Sequence, residues 1–521
     1  MNLINNRPLL IAITTALTLI ISIFLGILFK DFRATLLGFL LIPGMLVAWR
    51  NPRLGLLIML IYLPFSSTIA FAWAKVFIVK GNLIKYTNAY PLYKIAKDAF
   101  YVPALAKILG TTDALQKLSP KIKPFLIALA ILVVSLLITF FFINLRDPAN
   151  SSFLRGLIGL KILLGYIPLV LCGYYLVQEQ KDLWIVTRLL IILIIICCGL
   201  CLIQYLLLNQ GICARNFTLS EVAPRVELEK FYPSILDKTT LKAQCFVGGS
   251  LLYNPGRGLI RLPGTFSDPW QWGWFLISSS FITYAAVFSD PSRRWRVISG
   301  VAIALVVLAT LVSGQRIALL AVPVFYLLLF LLTQKYNRWL VIKLIAIGTI
   351  STLVFTQIGF IRQKWDDLVD RWTYSPPTNL VREQFQSLIA HHLSPFGQGL
   401  GKASGAARSF VSEDDQLRLV EIYSVRLLYE MGWIGFLAFM AVTTILTILT
   451  FKACISLKTP SLRHWATCFW IFILFISFNP YYYPLAVEPV SIYYWLFAGI
   501  ILKLPAIEAK TLARESHDLL D

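Results

Sequence analysis

The stretch LWIVTRLLIILIIICCGLCLIQYLLL, residues Leu183–Leu208, decides the fold. A helix needs about 20 consecutive apolar residues to cross a hydrocarbon layer roughly 30 Å thick, and this run exceeds that length. Its apolar residues are continuous rather than alternating, so it is not a strand of a membrane barrel. Comparable runs recur from end to end of the chain. They are Leu9–Phe29, Ala34–Trp49, Leu54–Trp73, Pro124–Asn144, Leu157–Val177, Trp270–Phe288, Val297–Val312, Ile317–Leu332, Leu340–Phe360, Trp433–Phe451, Trp465–Phe478 and Val490–Leu502. The 521 residues are 58% apolar and only 14% charged, with mean hydropathy +0.74. Soluble chains average about 25% charged residues, and no soluble core of this length absorbs so much apolar surface. The expected fold is therefore all-α: residues 1–521 form a single integral membrane domain of about 12 to 14 transmembrane helices. The first run lacks a small-residue cleavage site, so it reads as a retained helix rather than a signal peptide.

The net charge of +21 would suggest nucleic acid in a soluble protein, but no recognition motif for nucleic acid is present. Excess Lys and Arg in cytoplasmic loops accounts for it. Ser292–Arg296 (SRRWR), Gln334–Trp339 (QKYNRW), Phe451–His464 (FKACISLKTPSLRH) and the tail after Lys503 are basic and should face inward. Asn479–Pro489 has neither Lys nor Arg and suits the outer interface. Two long loops then fall outside, Asn209–Asp268 and Arg362–Met431, the second long enough to hold short helices. The N-terminal third is less regular. Arg50–Arg53 and the lysine-rich Lys75–Lys123 both favour the inside, which requires part of Ile84–Gly110 to cross or re-enter.

Cysteine usage adds little. Cys197, Cys198 and Cys201 lie within an apolar run with no polar second shell for a metal, so they read as small buried residues. Cys213 and Cys245 share the first outer loop and would pair if that face is oxidising. Several familiar motifs can be set aside. Pro395-Phe-Gly-Gln-Gly-Leu-Gly-Lys402 resembles a phosphate loop but has Phe396 where the first glycine belongs. Gly397, Gly399 and Gly401 do not make a dinucleotide fingerprint, because no strand precedes them. The four histidines do not assemble a serine triad, and no metal or other cofactor is expected.

What remains is a set of arginines at outer helix ends. Arg261 precedes the helix that begins at Trp270. Ser313-Gly-Gln-Arg316 separates two apolar runs, where a hydrophobic turn would serve. Arg371 and Arg382 lie in the second outer loop. Guanidinium stays charged near lipid and binds phosphate oxygens bidentately, so these residues suit a lipid-linked diphosphate. Snorkelling to headgroups is the competing account of any one of them.

Four ordered blocks resemble the bacterial O-antigen ligase/polymerase family. They are Arg261-Leu-Pro-Gly-Thr-Phe-Ser-Asp-Pro269, Ser313-Gly-Gln-Arg-Ile-Ala-Leu-Leu320, Arg382 through Pro395-Phe-Gly-Gln-Gly-Leu-Gly401, and Tyr423-Ser-Val-Arg-Leu-Leu-Tyr-Glu-Met-Gly-Trp-Ile-Gly435. The resemblance implies a GT-C-like, metal-independent glycosyltransferase in the bacterial inner membrane. Such an enzyme acts at the outer face on an undecaprenyl-diphosphate-linked oligosaccharide, with a glycan or lipid acceptor. Ligases of the family begin the last block with a histidine, usually followed by Asn, whereas Glu421-Ile422 stands here. That departure favours a polymerase or exopolysaccharide member over a ligase.

Transfer from a lipid diphosphate needs charge stabilisation on the leaving group and an aligned acceptor hydroxyl. Arg261, Arg316 and Arg382 are the expected diphosphate-binding residues. Arg316 and Glu421 are the expected catalytic pair, with Glu421 as base. The competing reading of Glu421 is a salt bridge to Arg418 or Arg426, or loop solvation, and positioning alone can dominate with so good a leaving group. His391, His392, Arg371 and Tyr423 are secondary candidates, and Glu430 reads as capping or orienting the turn before Gly432. The expected partners are the lipid-linked donor, the acceptor, membrane lipids and polysaccharide export proteins, with no nucleic acid. A transporter or flippase for a glycan lipid or anion, and a non-catalytic component of an export assembly, are the alternatives. Transporters carry repeats and mid-depth polar residues, but here there is no repeat and the polar residues collect at the outer boundary.

Overall fold

The computed structural model describes residues 7–73, 77–79, 82–85, 93, 96–110, 112–147, 152–213, 241–254, 259–333, 369, 376–391, 394–403, 420, 422–479 and 484–518. Eleven helices within them are long and apolar enough to cross a membrane, from Phe32–Arg50 to Val490–Arg514, which makes the chain a multi-pass helical membrane protein. A shorter apolar helix, Thr15–Phe29, accounts for the first run, while the run at Leu340–Phe360 lies outside the described residues. The helical expectation holds for the spans. Two small antiparallel sheets, which hydropathy does not register, accompany them.

The elements used below are α1 (Arg7–Phe29), α2 (Phe32–Arg50), α3 (Pro52–Tyr62), α4 (Ser66–Trp73), β1 (Phe77–Val79), β2 (Asn82–Lys85), α5 (Asp98–Gly110), α6 (Thr112–Thr139), α7 (Ser152–Leu164), α8 (Leu169–Leu176) and α9 (Gln180–Asn209). They continue with β3 (Leu241–Cys245), β4 (Val247–Asn254), β5 (Leu259–Arg261), α10 (Pro269–Ser289), α11 (Arg293–Val312), α12 (Arg316–Thr333), α13 (Pro377–His391), α14 (Tyr423–Ser456), α15 (Pro460–Phe478) and α16 (Val490–Asp518). The contacts divide the chain into two compact units. The first comprises residues 1–111, 186–279 and 301–323, and the second 112–185, 280–300 and 324–521.

In the first unit, α2 packs on α1, α3 and α5. Asn51 ends α2 and starts α3, its side chain accepting from Leu54 N (3.2 Å), and Pro52 takes the first helical position, where no N–H is needed. The sheet β3–β4–β5 is antiparallel throughout. Gln204 of α9 holds its first hairpin, donating from Nε2 to Cys245 O and Val247 O, both at 2.8 Å. Cys213 and Cys245 form a disulfide that fastens the same hairpin to the end of α9. Cys197, Cys198 and Cys201 are fully buried in α9, as small core residues.

The second unit is organised around α14, which packs on α6, α15 and α16. A Cβ at Gly173 of α8 would collide with Leu496 O, and one at Gly499 of α16 with Val170 O, so two glycines permit the close approach of α8 and α16. Aromatic rings of Phe281, Phe325, Phe472 and Phe475 fill the space between α10, α12 and α15 at centroid separations of 4.5–5.3 Å. Polar contacts gather the basic connections at one end of this unit. Tyr284 bonds Thr333 (2.9 Å), Ser289 bonds His464 Nδ1 (3.0 Å), and Glu508 accepts from Lys458 N (3.0 Å). Among the described residues, the helix ends bordering Ser292–Arg296 and Phe451–His464 thus lie together, while Gln334–Trp339 lies outside the described residues.

Candidate functional site

The first cluster of candidate residues grows from the segment Arg261–Pro269. Here β5 gives way to α10, and nearly every backbone group of the passage is claimed by a neighbour. Leu262 N donates to Ser313 O (3.0 Å), which joins the end of β5 to the turn between α11 and α12. Thr68 of α4 donates its hydroxyl to Thr265 O (2.8 Å) and accepts from Gly248 N (3.0 Å). Gly249 N donates to Phe266 O (2.7 Å). Ser267 donates to Gln271 Oε1 (2.6 Å) at the entrance to α10, and Phe266 packs its ring against Trp272 and Phe275.

The turn Ser313-Gly-Gln-Arg316 fits against this segment because of Gly314. Its φ of 65° belongs to the left-handed region that favours glycine, and a Cβ there would run into Ile260 O. Ser313 is fully buried, with its hydroxyl bonded to Thr310 O (2.8 Å) and accepting from Gln315 N (3.2 Å). Arg261 and Arg316 are both half-buried, one on each side of the Leu262–Ser313 hydrogen bond. Arg316 is the first residue of α12, and that helix has no acidic residue in its first turn. The structure therefore brings together two of the arginines singled out in the sequence, by backbone contacts between segments distant in the chain.

The second cluster surrounds the start of α14. Its residues are fixed by a loop, Ser394–Ala403, spliced into the helix at Gly432. Gly432 has φ 71° and ψ −176°, which breaks the helical ladder. Across the break, Gln398 N donates to Tyr429 O (2.7 Å) and Gly399 N to Glu430 O (3.2 Å). On the other side, Ile434 N donates to Pro395 O (3.2 Å) and Trp433 N lies 3.4 Å from Ser394 O. The loop supplies partners for the carbonyls of one helical piece and the N–H groups of the next. Gly397, Gly399 and Gly401 have φ values of 74°, 116° and 78°, and the N–H groups of Gln398, Gly399 and Leu400 are already bonded within the protein, so the alternating glycines serve backbone shape.

Asn144 holds the loop from below. It terminates a single π-helical turn, Phe140–Asn144, at the end of α6. Its side chain accepts from Leu400 N (2.8 Å) and donates to Leu400 O (3.0 Å), while Thr139 donates to Phe396 O (3.0 Å). Lys402 pairs with Asp147 at 2.6 Å. Glu430, fully buried, accepts at Oε1 from Ala403 N (3.0 Å) and from Arg426 Nε (3.1 Å). It orients the loop as well as its own helix.

Of the remaining candidates, Arg382 is exposed on α13, a helix that packs through Leu388, Val381 and Phe385 on Ile422 and Val425. Gln384 of the same helix accepts from Ile422 N (3.0 Å). Tyr423 is buried with its ring edge-on to Phe439 (5.7 Å). His391 ends α13. Glu421, His392 and Arg371 lie outside the described residues. Arg426, Glu430 and Asn144 were not among the sequence candidates for the site. The first two carry an i, i+4 signal of opposite charge in an apolar stretch, whereas nothing near Asn144 marks it. In comparison with known proteins, no family model matches the chain and no curated relative matches it.

Proposed function

We propose that the chain is a membrane glycosyltransferase that polymerises or ligates undecaprenyl-diphosphate-linked glycans at the outer face of the bacterial inner membrane, with polymerisation favoured by Glu421-Ile422. The observation that carries this reading is the placement of Arg316. An N-terminal helical turn already directs backbone N–H groups and the positive end of the helix dipole outward, so a cation is unfavourable there and an anion is favoured. Arg316 is the first residue of α12 and Arg261 ends β5 across the Leu262–Ser313 junction, so this corner carries two cations where a helix N-terminus favours an anion. Two guanidinium groups of this kind grip a diphosphate and stabilise the charge that develops on it as the sugar departs. The donor is then a lipid-linked oligosaccharide, the acceptor a glycan or lipid, and export proteins take up the product.

The test is glycan chain length in cells carrying Arg316→Ala, Arg261→Ala or Arg382→Ala. Loss of long chains with accumulation of single lipid-linked units assigns polymerisation. Normal chains retained on the carrier assign ligation. Unchanged glycans in both Arg316→Ala and Arg261→Ala would refute the proposal.

A further inference from the structure

Two apolar side chains stand exposed on either side of the disulfide that follows α9. Gly211 N donates to Leu208 O (3.1 Å) and Ile212 N to Leu207 O (3.0 Å), the paired bonds of a Schellman cap with Gly211 at φ 69°. An apolar residue just after the glycine frequently folds back on such a helix, yet Ile212 is 64% exposed. Cys213 follows it and is bridged to Cys245. Beyond the bridge, Phe246 turns the β3–β4 hairpin with φ 62° and is 58% exposed. A bulky residue is an outlier in the left-handed region, which glycine occupies freely, so the ring is kept there at a conformational cost. With most of the ring outside the fold, packing within the chain offsets little of that cost.

The surroundings indicate what covers these two residues. Ile192, Ile196, Ile203 and Leu206 of α9 are exposed and fall on one face of that helix, which is long and apolar enough to cross a membrane. On a crossing helix such a face meets lipid. At 30 residues, α9 is about 45 Å long, which carries its end past a hydrocarbon core of roughly 30 Å and into the interface. Ile212 and Phe246 continue the apolar surface beyond the last turn, and neither Gly211–Cys213 nor Cys245–Val247 contains a charged residue. We propose that Ile212 and Phe246 form an interfacial anchor, inserted at the boundary between phospholipid headgroups and acyl chains. The disulfide keeps the two residues as neighbours, and their insertion sets the depth of β4. Because β4 pairs with β5, which ends at Arg261, the anchor sets the depth of that arginine too. The proposal concerns contact with lipid alone and stands apart from the glycan-transfer reading.

The test uses the full-length chain in nanodiscs of phosphatidylethanolamine and phosphatidylglycerol. The photoreactive variants are Phe246→benzoylphenylalanine, Ile212→benzoylphenylalanine and, as the lipid-facing reference, Leu206→benzoylphenylalanine. Irradiation followed by mass spectrometry is expected to find phospholipid coupled at all three positions. Absence of phospholipid adducts at Phe246 or Ile212, with Leu206 labelled, overturns the anchor. Adducts to a second polypeptide in their place would reveal a protein interface and overturn it likewise. A second measurement uses the double variant Ile212→Ser/Phe246→Ser, which keeps a side chain at φ 62° and so leaves the backbone strain in place. Its readout is hydrogen exchange at Gly248 and Gly249, whose N–H groups are bonded to Thr68 Oγ1 and Phe266 O. Exchange is expected to quicken ~10-fold in the same nanodiscs, about what half-insertion of an aromatic side chain is worth. Exchange within about twofold of wild type, well short of that burial factor, would show that the tip does not hold the sheet and would overturn the anchor.

Discussion

Replacing Asn144 by leucine isolates the contribution of one side chain to the loop Ser394–Ala403. Leucine shares asparagine's branching at Cγ, though it is bulkier, and offers neither donor nor acceptor. The substitution strips partners from Leu400 N (2.8 Å) and Leu400 O (3.0 Å), both belonging to a fully buried residue. A buried group that loses its partner costs about 1–3 kcal/mol, so the docked loop is destabilised by about 2–6 kcal/mol. At 1.4 kcal/mol per factor of ten, the lower figure already raises the open fraction by about 30-fold. The opening is local, because the spanning helices keep their own ladders. Amide hydrogen exchange read by mass spectrometry is the assay, at Gln398, Gly399 and Leu400. Asn144→Asp is the control: it retains an acceptor for Leu400 N but sets a carboxylate oxygen against Leu400 O, and should protect the loop no better. Protection of these amides within about threefold of wild type in Asn144→Leu would show that Asn144 does not hold the loop, since even the lower cost predicts a tenfold larger effect.

Gly401→Ala forces a side chain onto φ 78° and into Arg155 O, and should cost about 2–5 kcal/mol in the same exchange experiment, from backbone strain and overpacking together. Gly314→Ala collides with Ile260 O and should displace Arg316, lowering glycan elongation nearly as far as Arg316→Ala. Elongation at the wild-type level would uncouple that turn from function. Arg316→Lys keeps the charge but loses the planar fork, and should recover only part of the activity lost in Arg316→Ala. Glu179 is held below the usual carboxylate range, first by its hydrogen bond to Lys181 and then by the charges of Lys181, Arg514 and Lys510. A depressed carboxylate stabilises above its unfolded value and loses that contribution as pH falls through its folded value. Exchange protection of the α16 turn around Lys510 and Arg514 should therefore decline below about pH 4, and an unchanged profile would remove Glu179 as its anchor.

The spans were legible because hydrocarbon thickness imposes a length, and a sequence either supplies it or does not. Even the kinked α14 is announced by Gly432 and by the apolar residues after Trp433. The β3–β5 sheet was not legible, since its strands are short and lie in a polar loop without clean alternation. The pairing of Cys213 with Cys245 was visible as an option, and Gln204 in α9 decides it by holding the hairpin in place. Arg261 and Arg316 could be read individually, but their junction depends on Leu262 N meeting Ser313 O. Asn144 was invisible for a plain reason. It acts on Leu400, a residue 256 positions away, and a lone asparagine at the end of an apolar helix carries no pattern.

Surface loops in most proteins tolerate insertion cheaply, because closure entropy grows only slowly with length. The graft of Ser394–Gly399 onto the break at Gly432 withdraws that freedom here. Adding or deleting one residue between Ser394 and Gly399 would shift the register that serves Tyr429 and Glu430 on one flank and Ile434 on the other. The penalty would fall on helix ends flanked by the buried residues Glu430, Met431 and Gly432, where solvent offers no substitute. Drift in loop length among descendants of this chain should therefore accumulate outside those six positions, which behave as a missing helical turn delivered from elsewhere.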